Sequence, residues 1–281
     1  MQPQPSKGVL FKISREVQTP KLSVEIGYRE SSELDCEDSV RTGAVQLLET
    51  HAVLLSGDWR QAQNMEEHAR APLYSVGEEV AHALTHGLGL VASVGGLVTL
   101  VVAAWLRGDA WHIVGVSIFG ATLVLLYAAS TLYHSIRNPR VKRFFQRLDH
   151  AAIFLLIAGT YTPFTLVSLR GGWGWTLLAI VWSLAIFGIV LEVAGHTRRF
   201  SVALHLAMGW LAVIAAGPLI RSVHPDGLLL LVLGGVAYTL GVVFFAWQRL
   251  PYNHAVWHLF VMAGSVCHFS CVLGYVIPSA S

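Results

Sequence analysis

The chain has 281 residues, of which 54% are hydrophobic and only 13% charged, with a mean hydropathy of +0.57. Soluble proteins carry charge on roughly 25% of their residues, so this composition argues against a water-soluble globule. The 17 acidic and 19 basic residues nearly cancel, and net charge gives no case for a nucleic-acid partner.

The charges are unevenly spread. Residues 1–72 hold 11 acids and 8 bases, which leaves 6 acids and 11 bases for the 209 residues that follow. This pattern predicts a polar, largely disordered cytoplasmic tail over 1–72 and a seven-helix membrane domain over 73–281. In the tail Pro3, Pro5 and Pro20 interrupt any helix, and no apolar stretch of the signal-peptide kind is expected. Val45, Leu48, Ala52 and Leu55 form one weak amphipathic stretch suited to a short helix lying on a membrane.

A helix needs about 20 apolar residues to cross a bilayer core. Seven runs qualify: Val80–Leu106, Trp111–His134, Asp149–Leu169, Gly174–Gly195, Val202–Ile220, Gly227–Trp247 and His254–Ile277. Turn chemistry separates them at Arg107-Gly108-Asp109, Arg170-Gly171-Gly172, Pro225-Asp226-Gly227 and Leu250-Pro251. Hydrocarbon offers no water to an open strand edge, so the fold class is an all-α, polytopic bundle of seven transmembrane helices. The three cysteines, Cys36, Cys267 and Cys271, are an odd count without metal-site spacing and read as packing residues.

Orientation follows from the bases in short loops, which stay on the cytoplasmic side. Arg137, Arg140, Lys142, Arg143 and Arg147 follow span two, Arg198 and Arg199 follow span four, and Arg249 follows span six. The opposite loops offer only Arg107, Arg170 and Arg221. The N-terminus is expected inside and the C-terminus outside the cell membrane, the reverse of a rhodopsin-like receptor.

Ionisable groups in membrane helices cost about 2.5 to 3.5 kcal/mol each on insertion scales, so each is a candidate for function. His134 ends span two on the cytoplasmic side, where Asp149 opens span three and His254 and His258 open span seven. Glu79, His82 and His86 open span one at the same level. These residues gather in one layer if spans two, three and seven are neighbours with span one beside them.

His254 and His258 lie four residues apart, about 40° around a helix, so both imidazoles leave one face and can chelate one metal ion. Ala255 stands where an HExxH motif has its glutamate. The third ligand must come from elsewhere, and His134 is best placed, with Ser130 one turn before it. His268 shares the His254 face but sits about 15 Å beyond His258 at 1.5 Å rise per residue, too deep to join one metal. Blander readings compete at each position: interfacial histidines, a Ser130 hydroxyl bonded to the carbonyl four residues back, and Asp149 as the N-cap of span three.

The segments EVAHALTHGLG (Glu79–Gly89), STLYHS (Ser130–Ser135), LDHAAIFLLIAGTYTP (Leu148–Pro163) and NHAVWHLFVMAGSVCHF (Asn253–Phe269) resemble the hemolysin III family, the bacterial branch of the progestin and adipoQ receptor superfamily. The resemblance implies seven membrane helices with the N-terminus inside, and a cytoplasmic-side Zn2+. By similarity to the adiponectin receptors it makes His134, His254 and His258 the zinc ligands, Asp149 the binder of a zinc-bound water and Ser130 a nearby hydroxyl. His82 stands where the family's first motif has asparagine. The superfamily's similarity to alkaline ceramidases implies a membrane lipid amide as substrate.

Three histidines and a water are the open arrangement of catalytic zinc, so a metal-dependent lipid-amide hydrolase, or a related factor in membrane-lipid homeostasis, is the expectation. A carboxylate among the ligands would instead suit Fe(II) or Mn(II). The alternative class is non-enzymatic, either a regulator of membrane energetics with a structural zinc or a pore-forming cytolysin. Against a pore, Glu192 and His205 are the only carboxylate and imidazole in spans four to six, and no helix carries a long polar stripe.

Overall fold

The computed structural model describes residues 74–194 and 198–280. The tail, its short amphipathic stretch and Cys36 lie outside the described residues, which are all-helical without strands. Helix α1 spans Val76–Arg107, α2 Ala110–Ser135, and α3 Pro139–Pro163, extended by a π-helical turn over Phe164–Ser168. Helix α4 spans Gly172–Val193. Then α5 (Arg198–Trp210) passes through a 3-10 turn, Leu211–Ala215, into α6 (Ala216–Ser222). Helix α7 covers Pro225–Ala246, and α8 covers Asn253–Cys271 with a π-helical extension over Val272–Val276.

Seven of these stretches are long and apolar enough to cross a membrane, α5, the turn and α6 together making one. Their outward side chains include Val91, Trp105, Ile186, Ile214, Leu229 and Val266, all largely exposed. Apolar surface of this extent is stable only against lipid. Consecutive helices pack side by side, and α8 contacts both α7 and α1, closing the bundle. Phe119, Phe154, Val181 and Met208 fill its interior.

The helix starts are set by side-chain caps. Ser75 and Glu78 form a capping box on α1, with Ser75 N donating to Glu78 Oε2 at 2.8 Å and Glu78 N to Ser75 Oγ at 3.3 Å. Asp109 caps α2 and takes a 2.7 Å bond from Arg170 across the turn before α4. That guanidinium, with His112 behind it, holds the Asp109 carboxyl well below the usual carboxylate range.

Three expected boundaries are corrected. The third span begins at Pro139, not Asp149: Asn138 accepts from Arg140 N and Val141 N, and Pro139 follows at the first helical position. The basic segment expected to be a loop is therefore the first turns of α3, and Asp149 lies well inside the helix rather than capping it. Pro225, expected in a turn, starts α7, with His224 as its cap. The fifth span, expected to be continuous, is broken over Leu211–Ala215. Pro218 cannot donate to the carbonyl four residues back and its ring crowds that carbonyl, so the regular ladder fails there.

Where helices meet closely, glycine is required. A Cβ on Gly174 would meet the carbonyl oxygens of Thr165 and Leu169, which are main-chain atoms and cannot yield, whereas one on Gly95 would meet open space. Gly174→Ala is expected to destabilise the protein by about 1–3 kcal/mol, read as a lower Tm in detergent. Gly95→Ala should leave Tm unchanged or slightly raised, since alanine favours the helix.

Candidate metal centre

Helix α1 turns Glu79, His82 and His86 inward at helical spacing, α2 brings His134 in its last turn, and α8 brings His254 and His258. One ligand nitrogen from each of His134, His254 and His258 lies within 4.8 Å of the other two, and all three residues are buried. These are the residues expected to bind a metal, and the fold brings them together.

The other ring nitrogens are already engaged. His134 Nδ1 is 2.7 Å from Glu79 Oε2, and Lys142 Nζ lies 2.8 Å from the other Glu79 oxygen while also donating to the Tyr133 carbonyl at 3.0 Å. Thr85 Oγ1 donates to the helix carbonyls of Ala81 and His82, so at 3.1 Å its oxygen accepts from His258 Nδ1. Tyr74 Oη sits 3.2 Å from His254 Nδ1. A carboxylate or hydroxyl that fixes Nδ1–H leaves the Nε2 lone pair for a cation, as metal-ligating histidines do. Nε2 of both His134 and His258 is buried without a hydrogen-bond partner. Each such orphan costs about 1–3 kcal/mol, and one soft-to-borderline cation would satisfy several at once. The donor set of neutral imidazoles fits zinc.

Glu79 is therefore more than an acid in a first helical turn, because the capping is done by Glu78. Tyr74, Thr85 and Lys142 escaped the sequence reading: a lone hydroxyl or a lysine in a basic run carries no signal until its partner is known. His86 stacks on His258 at 3.4 Å between ring centres and meets Tyr127 edge-on at 5.0 Å. Ser130 is fully buried and its hydroxyl has no hydrogen-bond partner among the described residues, so the competing reading of a bond to the preceding turn does not hold. His268 Nε2 donates to the Leu231 carbonyl at 3.1 Å, and His268 lines the cavity described below.

Residues 74–269 match the family described as haemolysin-III related. The chain belongs to this family. It is 49% identical to Hemolysin-3 of Bacillus cereus over 209 residues, covering 73% of this chain and 95% of that one. The Hemolysin-3 homolog of Bacillus subtilis is 47% identical over 208 residues, with 73% and 97% covered. At 28% identity over 210 residues, the human monocyte to macrophage differentiation factor matches 72% of this chain and 86% of its own length.

Beside the histidine cluster this haemolysin-III-related chain has a partly open cavity of about 670 Å³. Asp149, buried, and His254 line it at the cluster end, and Leu169, Leu177 and Leu219 line it at the other. Asp149, within α3, and Leu169, just after its extension, are separated by about 30 Å at 1.5 Å per residue. A second polar group lies in the same wall: His150 Nδ1 is 2.7 Å from Glu192, and Ser201 Oγ donates to the other Glu192 oxygen at 2.9 Å. Glu192 was legible as an isolated carboxylate, but its partners on α3 and α5 were not.

Removing one nitrogen of three should leave an incomplete site. His134→Ala, His254→Ala and His258→Ala are each expected to strip most zinc from the purified protein, measured as metal per chain. Glu79→Gln should keep the ion but weaken its binding by about 10–100-fold, the usual cost of losing an outer partner. Undiminished zinc in all three alanine variants would move the site elsewhere.

Proposed function

We propose that this multi-pass membrane protein is a zinc-dependent hydrolase of lipid amides. The observation that carries the reading is the apolar cavity opening on Asp149 and His254. Its volume falls within the roughly 300–1,000 Å³ of sites that enclose a small organic ligand, and its length and leucine-rich wall suit a hydrocarbon chain whose polar end reaches the histidines.

A zinc ion held by His134, His254 and His258 would supply Lewis acidity, polarising the amide carbonyl and lowering the pKa of water toward about 7. The cavity wall holds the acyl chain and excludes bulk water. Asp149 takes the proton of the attacking water and returns it to the amide nitrogen as the C–N bond breaks, leaving a fatty acid and a free amine. Ser130, one turn before His134, adds a buried hydroxyl whose hydrogen-bonding capacity the protein leaves unspent. Glu79 and Lys142 orient His134.

The name of the Bacillus cereus relative suggests haemolysis, and a pore is the rival reading. A conducting path needs a polar lumen, and the leucine-rich wall supports an acyl-chain chamber instead. The bases at the cluster end, Arg140, Lys142, Arg143 and Arg147 among them, support a cytoplasmic position for the centre in the cell membrane. A reporter fused after Ser281 should then report the outside and one fused after Arg147 the inside; both on one side would refute this orientation.

The chemistry turns on Asp149. Asp149→Asn preserves shape and, lying well inside α3, does not disturb a cap, so fold and zinc content are expected to persist. The amide cannot take a proton, and turnover of a ceramide-like amide should fall by about 10² to 10⁴. Full activity in a zinc-loaded Asp149→Asn protein would sink the mechanism, and loss of zinc would make Asp149 a ligand. Comparing the lipids of cells with and without the protein identifies the natural substrate.

A further inference from the structure

His82 is the imidazole that the hydrolase reading leaves without a task, yet it is completely enclosed. Its ring centre lies 4.6 Å from that of His134, 4.8 Å from His254 and 5.5 Å from His258. Those three rings are themselves 5.2, 5.4 and 4.6 Å apart. The four imidazoles thus stand at the corners of a nearly regular tetrahedron. Four imidazoles bound tetrahedrally at about 2.0–2.1 Å from one ion have ring centres roughly 5.2 Å apart, and the six separations straddle that value.

Ring packing alone also allows centre separations of about 4.5–7 Å, so the nitrogens must decide. Both nitrogens of His82 are buried and neither has a hydrogen-bond partner. A neutral imidazole carries one N–H and one lone pair, and leaving both unmet in a water-free interior is unfavourable. The ring also meets Tyr74 edge-on at 4.7 Å, a contact that uses neither nitrogen. A ligand nitrogen of His82 lies within 4.8 Å of a His134 nitrogen and a Glu79 carboxylate oxygen, a group that shares His134 with the three-histidine group, so His82 reaches the common ion by turning its ring toward His254 and His258.

We propose that His82 is a fourth imidazole ligand to the ion held by His134, His254 and His258, closing its coordination sphere on the α1 side. The inference rests on the metal centre of the proposed function and adds what kind of centre it is. His254 lines the cavity and His82 does not, so the fourth ligand covers the face turned away from the chamber. Four protein ligands would keep the site closed to bulk water, and the position held by His82 is the one that a water or substrate oxygen would take during turnover.

X-ray absorption on the purified full chain, loaded with one equivalent of zinc, tests this directly. The expected spectrum has scattering from four imidazoles, one zinc per chain and no oxygen shell; in His82→Asn the count drops to three with an oxygen added. Zinc affinity by chelator competition should fall in His82→Asn by more than the roughly 10–100-fold cost of losing an outer partner. Three imidazoles and an oxygen in the wild-type spectrum would overturn the proposal while leaving the three-histidine centre intact. Two zinc ions per chain would also overturn it, by giving His82 and Glu79 an ion of their own. A wild-type protein that retains no zinc would overturn both this inference and the hydrolase reading.

Discussion

A polar atom inside a lipid-surrounded bundle has no water to turn to, and that constraint organises this molecule. Backbone groups meet it by forming helices throughout the described residues. Side chains meet it locally wherever they can: Thr131 and Ser135 return their hydroxyls to carbonyls of the preceding turn, and Tyr127 donates to Ser265 at 2.9 Å. The histidines at one end of the bundle do not follow that rule. Glu79 and Thr85 supply partners for one nitrogen of His134 and of His258, while one ligand nitrogen from each of His134, His254 and His258 lies within 4.8 Å of the other two. Buried imidazoles gathered this way, with unmet nitrogens on His134 and His258, form a group that could hold a cation.

The support for that arrangement comes from three separate helices. Lys142, in the amphipathic opening of α3, neutralises Glu79, so the carboxylate can approach His134 without standing as an uncompensated charge. The α8 helix is anchored by Asn253, whose amide donates to the carbonyls of Phe244 and Phe245 at the end of α7. Tyr252, with φ of 56°, takes the left-handed conformation that lets the chain reverse there, and its N–H reaches Glu78 at 3.4 Å. The cap of α1 and the start of α8 are thereby linked close to the histidines they carry.

Much of this was legible in the chain. Runs of about 20 apolar residues fix seven helices because bilayer thickness leaves little freedom, and the HxxxH spacing fixes two imidazoles on one face of α8. Boundaries were harder, because charge was taken to mean loop. The run from Arg140 to Arg147 is helical since Asn138-Pro139 begins a helix whatever its later surface charge, and so Asp149 moved from a cap to an interior position. The blander reading of Ser130, a hydroxyl bonded to its own helix, is not what the structure shows. The roles of Tyr74, Thr85 and Lys142 depend on tertiary neighbours from distant parts of the chain. His82 was visible only as an oddity, since nothing in a linear sequence reveals that its ring packs 4.6–5.5 Å from those of His134, His254 and His258.

The break in the fifth span bears on the chamber in a mechanical way. The Tyr161 hydroxyl accepts from Ala212 N at 2.8 Å and lies 2.9 Å from the carbonyls of Met208 and Gly209, so one phenol on α3 meets the main chain just before and within the kink. Tyr161, Gly209 and Ala212 all line the cavity. Its wall is therefore riveted at mid-depth to the same helix that carries Asp149. An occupant too wide for the space must either shear that rivet or carry α3 with it, and the second course shifts the Asp149 carboxylate along with the wall. Girth in the middle of the tail and alignment at the polar end become one and the same requirement.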